Sequence, residues 1–218
     1  QLFGRWLTEW KPVDGLKVSL NLNGWRDHSD SPAVQLSGLD PQLGFALLPA
    51  NVAALTPVPR GNSRAADWDP NTSFRRHNWF YQGSLRGDLS LSDEITLTSI
   101  TSYQKYHRDM PVDADGSQFP VFIIDETGRI ETFFQELRLS GGLNEGHWMI
   151  GANYQSDKTA DSNFVTFTSA SSFILGGRLV NANTQDMKTK AVYANLDYPL
   201  VAGLTVQGGV RYTKADRH

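Results

Sequence analysis

The sequence predicts an all-β fold, an antiparallel transmembrane β-barrel sheet of about eight strands in four hairpins, and three observations predict it. Apolar and polar residues alternate with a period of two over segments of about ten to thirteen residues, the length a tilted membrane strand needs. Short turns and long connections follow one another in strict alternation. Within each segment one face is aliphatic or aromatic, while the other carries amides, hydroxyls and charges.

The alternation is clearest near the end of the chain. Val192, Ala194, Leu196 and Tyr198 share one face, with Tyr193, Asn195 and Asp197 on the other. After Pro199-Leu200-Val201-Ala202-Gly203 the pattern resumes with Leu204, Val206, Gly208, Val210 and Tyr212 against Thr205, Gln207, Gly209, Arg211 and Thr213. Proline and glycine between two alternating runs reverse the chain, so this is a hairpin. Earlier hairpins pair segments 2–11 with 16–28 across Pro12-Val13-Asp14-Gly15, and 78–91 with 95–108 across Ser92-Asp93-Glu94. A third pairs 129–141 with 147–159 across Gly142-Leu143-Asn144-Glu145-Gly146. Connections at the opposite end run over about 29–77, 109–128 and 160–188. In an outer-membrane barrel short turns are periplasmic and long loops extracellular, so the first segment runs towards the periplasm.

Face chemistry agrees with lipid outside and water inside. Leu16, Val18, Leu20 and Leu22, then Trp79, Tyr81, Leu85, Leu89 and Leu91, then Phe133, Leu137 and Leu139 form the outward sets. Their alternates, Lys17, Ser19, Asn21 and Asn23, then Gln82, Ser84, Arg86 and Asp88, then Glu136, Arg138 and Ser140, form the inward ones. Trp10, Trp148 and Tyr198 stand beside the short turns, and Trp79, Tyr81, Tyr103 and Tyr212 nearer the long loops, as two interfacial girdles require.

Composition excludes several function classes. The net charge of −3 and the absence of any Lys/Arg run leave no field for a phosphate backbone, so nucleic acid is not a partner. With no cysteine among 218 residues, disulfide frameworks, thiolate metal sites and cysteine nucleophiles are out. No apolar run reaches the roughly 18 residues of a spanning helix. No Gly-x-Ser-x-Gly turn, phosphate loop or His-Glu-x-x-His helix occurs, so the chain is read as a non-enzyme without a cofactor. The start at Gln1-Leu2-Phe3 lacks the layout of a secretory leader, and the expectation is a processed chain or a portion of a longer one. Two all-β alternatives stay open: a soluble sandwich or carrier barrel, and a self-contained eight-stranded outer-membrane barrel with a structural or adhesion role, in which the first strand pairs with the eighth.

Several segments together resemble the barrel of TonB-dependent receptors. They are Trp10-Lys11-Pro12, Leu97-Thr98-Ser99-Ile100-Thr101-Ser102-Tyr103, Gln135-Glu136-Leu137-Arg138-Leu139, Ala191-Val192-Tyr193-Ala194 and Gly208-Gly209-Val210-Arg211-Tyr212-Thr213. The resemblance implies bacterial outer-membrane uptake of a siderophore, vitamin or sugar-type nutrient, with energy from the TonB complex through a plug domain that this chain does not show. Receptors of this type close with about 22 strands, so eight make about a third of a wall. The whole of 1–218 is thus read as a partial barrel domain.

Candidate site residues follow from position. Trp25, His28, Trp68, His77 and His107 are expected near the mouth, where a small molecule or iron chelate would bind, although the histidine spacing gives no ligand motif and no metal site is assigned. The long segment also offers Phe45 and Phe74 to a ligand and a helical turn over 51–55. Asp113-Ala114-Asp115-Gly116 has the spacing of a calcium loop but lacks the bidentate Glu, so an Asp-stabilised turn is expected. Arg5, Glu9, Arg86, Asp88, Glu136, Arg138, Asp197 and Arg211 point inward, and the resemblance gives them a plug to face.

Overall fold

Strands whose side chains alternate can bury one face only if neighbours share the register, and the computed structural model shows that register kept across the whole chain. It describes residues 1–38, 62, 66, 69, 72–167 and 177–218. The strands are β1 (Leu2–Val13), β2 (Leu16–Asp27), β3 (Asn78–Ser90), β4 (Ile95–Asp113), β5 (Phe122–Leu143), β6 (Gly146–Phe167), β7 (Gly177–Val201) and β8 (Leu204–Arg217). They form one sheet in the order β1 to β8, each antiparallel to the next. β1 and β8 do not pair, so the closed eight-stranded alternative is not what this chain forms.

The turns are built as their residues dictate. Gly15 and Gly203 reach φ of 77° and 82°, left-handed conformations that glycine takes without steric cost, and Asn144 reaches 51°. Register shifts between Trp10 and Val13 and between Pro199 and Val201 mark bulges at the two prolines, where the ladder can lose a donor.

Four strands run further than their alternation indicates. β4 continues to Asp113, β5 starts at Phe122, β6 reaches Phe167 and β7 starts at Gly177, so the connections expected over 109–128 and 160–188 shrink to 114–121 and 168–176. About ten residues cross a membrane, and beyond that height neither face must be apolar. Pairs such as Asp125 with Phe164 and Asp161 with Asn183 extend the ladder without the two-sided pattern that reveals a strand. The connection between β2 and β3 stays long, and the helical turn expected at 51–55 lies outside the described residues.

Register sorts the side chains into two surfaces. One row joins Arg5, Asn23, Gln82, Gln104, Thr132 and Asp157 across six strands. The alternate row joins Trp10, Val18, Gly87, Ser99, Leu137, Ala152, Val192 and Tyr212. Among the described residues the only buried apolar side chains are Phe74 and Ala191, whereas Leu137, Val192 and Tyr212 are more than half exposed. A soluble sandwich packs its apolar face into a core, and this sheet keeps it open, which removes that alternative. Polar groups on the apolar face satisfy one another: Thr101 Oγ1 donates to Gln135 Oε1 (2.6 Å), and Gln135 Nε2 donates to Ser99 Oγ (3.1 Å).

Close approach of β2 and β3 depends on Gly24, where a Cβ would lie 2.8 Å from the Phe80 carbonyl oxygen. Gly87 has nothing within 4 Å of the same position. In the full-length protein, Gly24→Val should lower unfolding stability by about 2–3 kcal/mol in a urea titration, and Gly87→Val should not. Equal midpoints for the two variants would contradict this account of the β2–β3 contact.

Candidate functional site

The polar surface is a lattice of charges that pair within the wall. Arg86 grips Asp88 through Nε to Oδ2 (2.7 Å) and Nη2 to Oδ1 (2.9 Å), and Thr98 Oγ1 donates to Asp88 Oδ1 (2.7 Å). Arg138 lies 3.8 Å from Glu136. Register runs Arg86–Ile100–Glu136 along one row and Asp88–Thr98–Arg138 along the next, so signs oppose both along the strands and across them. Arg5 donates to Asn21 Oδ1 (3.3 Å), Glu9 meets Lys17 (2.7 Å), and Arg211 reaches Asn153 Oδ1 (3.3 Å) with its guanidinium 5.5 Å from the Tyr193 ring. Asp197 stands opposite His147 and Gln207, close to the short turns. All eight inward charges expected from alternation therefore share one face.

At the long-loop end of this face three rings gather. Trp25 lies 6.4 Å from Phe80, nearly parallel, and 6.0 Å from Tyr106. Phe3 stands opposite Trp25 across β1 and β2. Phe80 and Tyr106 did not stand out in the sequence, because only the pairings Trp25–Phe80 and Phe80–Tyr106 bring them beside Trp25. The histidines take the other face. His107 is paired with Trp79 and stacks on it at 5.4 Å, and His28 meets His77 edge-on at 5.1 Å where β2 and β3 end. Alternation places Trp25 on one side of the sheet and these three on the opposite side, so the four described residues expected at the mouth do not share one face. Trp68 and Phe45 lie outside the described residues. Among the described residues no three His, Asp or Glu side chains assemble in a metal-binding arrangement.

The chain leaving β2 is clasped where it returns to β3. Asp27 accepts from the Ser29 amide (3.0 Å) and hydroxyl (2.6 Å) and pairs with Arg76 (3.2 Å), while the Ser31 amide donates to the Phe74 carbonyl (2.8 Å). Phe74, expected to face a ligand, is buried at 2% exposure beside its carbonyl's bond to Ser31. The Asp-rich turn after β4 is held by its own backbone: Asp113 Oδ1 accepts from the amides of Asp115 and Gly116, and Asp115 accepts from Ser117 and Phe122. Asp113 Oδ2 also accepts from the Asp69 amide (3.3 Å), tying the long connection to the β4 end. The Asp69 carboxylate is buried and, among the described residues, has no hydrogen-bond partner. Burial, reinforced by the neighbouring charges of Asp113 and Asp115, pushes it up to about 6.

The TonB-dependent receptor-like β-barrel family model matches residues 14–218, nearly the entire chain. The chain belongs to that family. Among solved structures, this receptor barrel is similar to the ferric yersiniabactin uptake receptor FyuA from Yersinia pestis, at 14% identity and a TM-score of 0.59, over 99% of this chain and 37% of that one. The siderophore receptor PiuA from Acinetobacter baumannii matches at 13% identity and a TM-score of 0.48, over 93% of this chain and 37% of that one. The chain thus spans little more than a third of either structure. No curated relative matches the sequence. The family is one of receptors, not enzymes.

In a receptor barrel the polar surface is the lumen wall and the apolar surface meets lipid. On the apolar side of this sheet a band of aromatic rings descends diagonally from strand to strand. Trp79 stacks on Tyr81 at 5.3 Å, Tyr81 lies 6.3 Å from Tyr103, and Phe133 lies 6.3 Å from Tyr154. A diagonal girdle is what tilted barrel strands produce at one membrane height.

The clasp at Asp69 responds to pH with a definite sign. Its carboxyl takes up a proton near pH 6 when docked but near 3.8 when free, so docking gains as pH falls from above 6 towards 4 and weakens as pH rises through 6. Hydrogen exchange at the Asp115 and Gly116 amides, corrected for intrinsic rates, should show more frequent opening at pH 8 than at pH 5. Asp69→Asn should flatten that dependence. Opening that increases on acidification in the unaltered receptor would overturn the assignment.

Proposed function

We propose that this chain forms wall and rim of a bacterial outer-membrane receptor that imports a scarce nutrient. The ligand is an iron–siderophore chelate, a vitamin or a sugar-type molecule, and energy comes from the TonB complex through a plug that belongs to the parent protein. The free edges of β1 and β8 are where the rest of that wall would pair, because an open ladder edge in lipid leaves backbone groups unsatisfied.

The observation that carries the reading is the ring shelf of Trp25, Phe80 and Tyr106 at the loop end of a charged lumen wall. An aromatic surface beside water gives a ligand with flat or apolar parts a place to dock, and the long connection from β2 to β3 starts next to it. Below the shelf, the eight charges from Arg5 to Arg211 are proposed to contact the plug. Because Arg86, Asp88, Glu136 and Arg138 are already matched within the wall, a plug can exchange partners with them without stranding a bare charge. His28, His77 and His107, on the outward face, are assigned to the headgroup boundary instead of the ligand. The fold shared with a ferric yersiniabactin uptake receptor makes ferric chelates the first ligands to try.

The test is uptake of radio-iron from a panel of ferric hydroxamate, catecholate and phenolate chelates by iron-starved cells carrying the intact parent protein. At least one chelate should depend on both this protein and TonB, and Trp25→Ala should weaken its binding about tenfold or more, as expected for a buried aromatic anchor. Uptake of the whole panel, and of vitamin and oligosaccharide probes, at the level of the deletion strain would contradict the import reading.

A further inference from the structure

Above the aromatic girdle the lipid-facing side carries ionic side chains, and nearly all of them alternate in sign. Register joins Lys105, Glu131, Lys158 and Asp186 across β4 to β7, with Lys105 and Glu131 in contact at 2.6 Å, and Lys188 stands opposite Asp216. Across strands, the pattern among these described residues breaks at Lys190. Lys190 stands directly opposite Lys214, and its partner on the other side is Tyr154. Along its own strand Lys190 has Lys188 and Val192 as same-face neighbours. Among the described residues no carboxylate forms an ion pair with Lys190, and Asp216 lies 3.8 Å from Lys214. Like charges directly across a strand pair repel, so the two ammonium groups ask for an anion between them.

What lies beneath the pair says which anion. Leu137, Val192 and Tyr212 are exposed directly below, and with Tyr154 and the two lysines they line a groove of about 510 Å³ that runs down the apolar face. Lys214 is ten residues from Leu204 at the short turn, about 33 Å of strand or about 25 Å of height at a barrel tilt, which is the height of the apolar band. Both ammonium groups therefore sit at headgroup level above a strip of hydrocarbon. An anion without an acyl chain would leave that strip uncovered.

We propose that Lys190 and Lys214 hold the phosphate of a membrane lipid whose acyl chain lies in the groove over Leu137, Val192 and Tyr212. The site rests on the membrane placement of the barrel and not on the transport reading. Phosphate oxygens accept from both ammonium groups and cancel the cross-strand repulsion, while the chain covers the apolar floor. The two contributions come from one molecule, so the site selects a phosphorylated lipid over a neutral lipid and over free phosphate.

Native mass spectrometry of the intact parent protein in mild detergent tests this with dioleoyl phosphatidic acid, dioleoylglycerol and inorganic phosphate as probes. The protein should retain one phosphatidic acid, not retain dioleoylglycerol, and keep the lipid in the presence of millimolar inorganic phosphate. Paired Lys190→Gln and Lys214→Gln substitutions should weaken retention on the order of thirtyfold, paired arginines should restore it, and Lys158→Gln should leave it unchanged. Equal retention by the glutamine variant, equal retention of the neutral lipid, or displacement by inorganic phosphate would overturn the proposal. Protein recovered in a soluble fraction would instead indict the membrane placement itself, so the two failures are distinguishable.

Discussion

The structure depends on one constraint: in hydrocarbon every backbone donor and acceptor must find its partner inside the sheet. An unbroken antiparallel ladder from β1 to β8 meets it, and the same ladder fixes the register that sends every second side chain to one surface. Once register is set, face chemistry follows without a core. Side chains that a soluble protein would bury, such as Leu137 and Val192, remain open on the face that barrels of this family turn towards lipid. Polar residues that stray onto this surface, such as Gln135, are tolerated because Thr101 and Ser99 take up their hydrogen bonds.

The lumen wall shows the complementary solution. Arg86 and Asp88 on one strand, and Glu136 and Arg138 two strands away, make a patch with little net field in which each charge has a partner at hand. Such a wall is wet and polar without attracting one sign of solute, and it offers many weak contacts instead of a few strong ones. At the rim, Trp25, Phe80 and Tyr106 supply apolar area beside the charged wall.

The parts of this architecture inside the membrane were legible in the sequence, because lipid on one side and water on the other impose a two-residue period. Hairpins at Gly15, at Asn144 and at Gly203 could be read from turn residues alone, and the lumen set from Arg5 to Arg211 from alternation. Legibility ended where water is on both sides. The outer stretches of β4 to β7 carry residues such as Asp125 and Asn181 with no apolar face to mark them, so strands passed for loops. Which rim residues meet was not legible for a different reason: it depends on register between strands far apart in the chain, as with Trp25 and Phe80. Proximity to the mouth grouped Trp25 with His28, His77 and His107, yet one step of alternation separates their faces.

Because the chain has no cysteine, single introduced cysteines report each face directly. The decisive measurement is labelling of Leu137→Cys and Gln104→Cys in intact outer membranes with a membrane-impermeant maleimide, against quenching of an attached fluorophore by nitroxide-bearing lipids. The account predicts that position 137 resists the aqueous reagent and is quenched by lipid, while position 104 is labelled by the aqueous reagent and is not quenched. The reverse pattern, or aqueous labelling of both positions in folded protein, would contradict the two-surface assignment on which everything else rests.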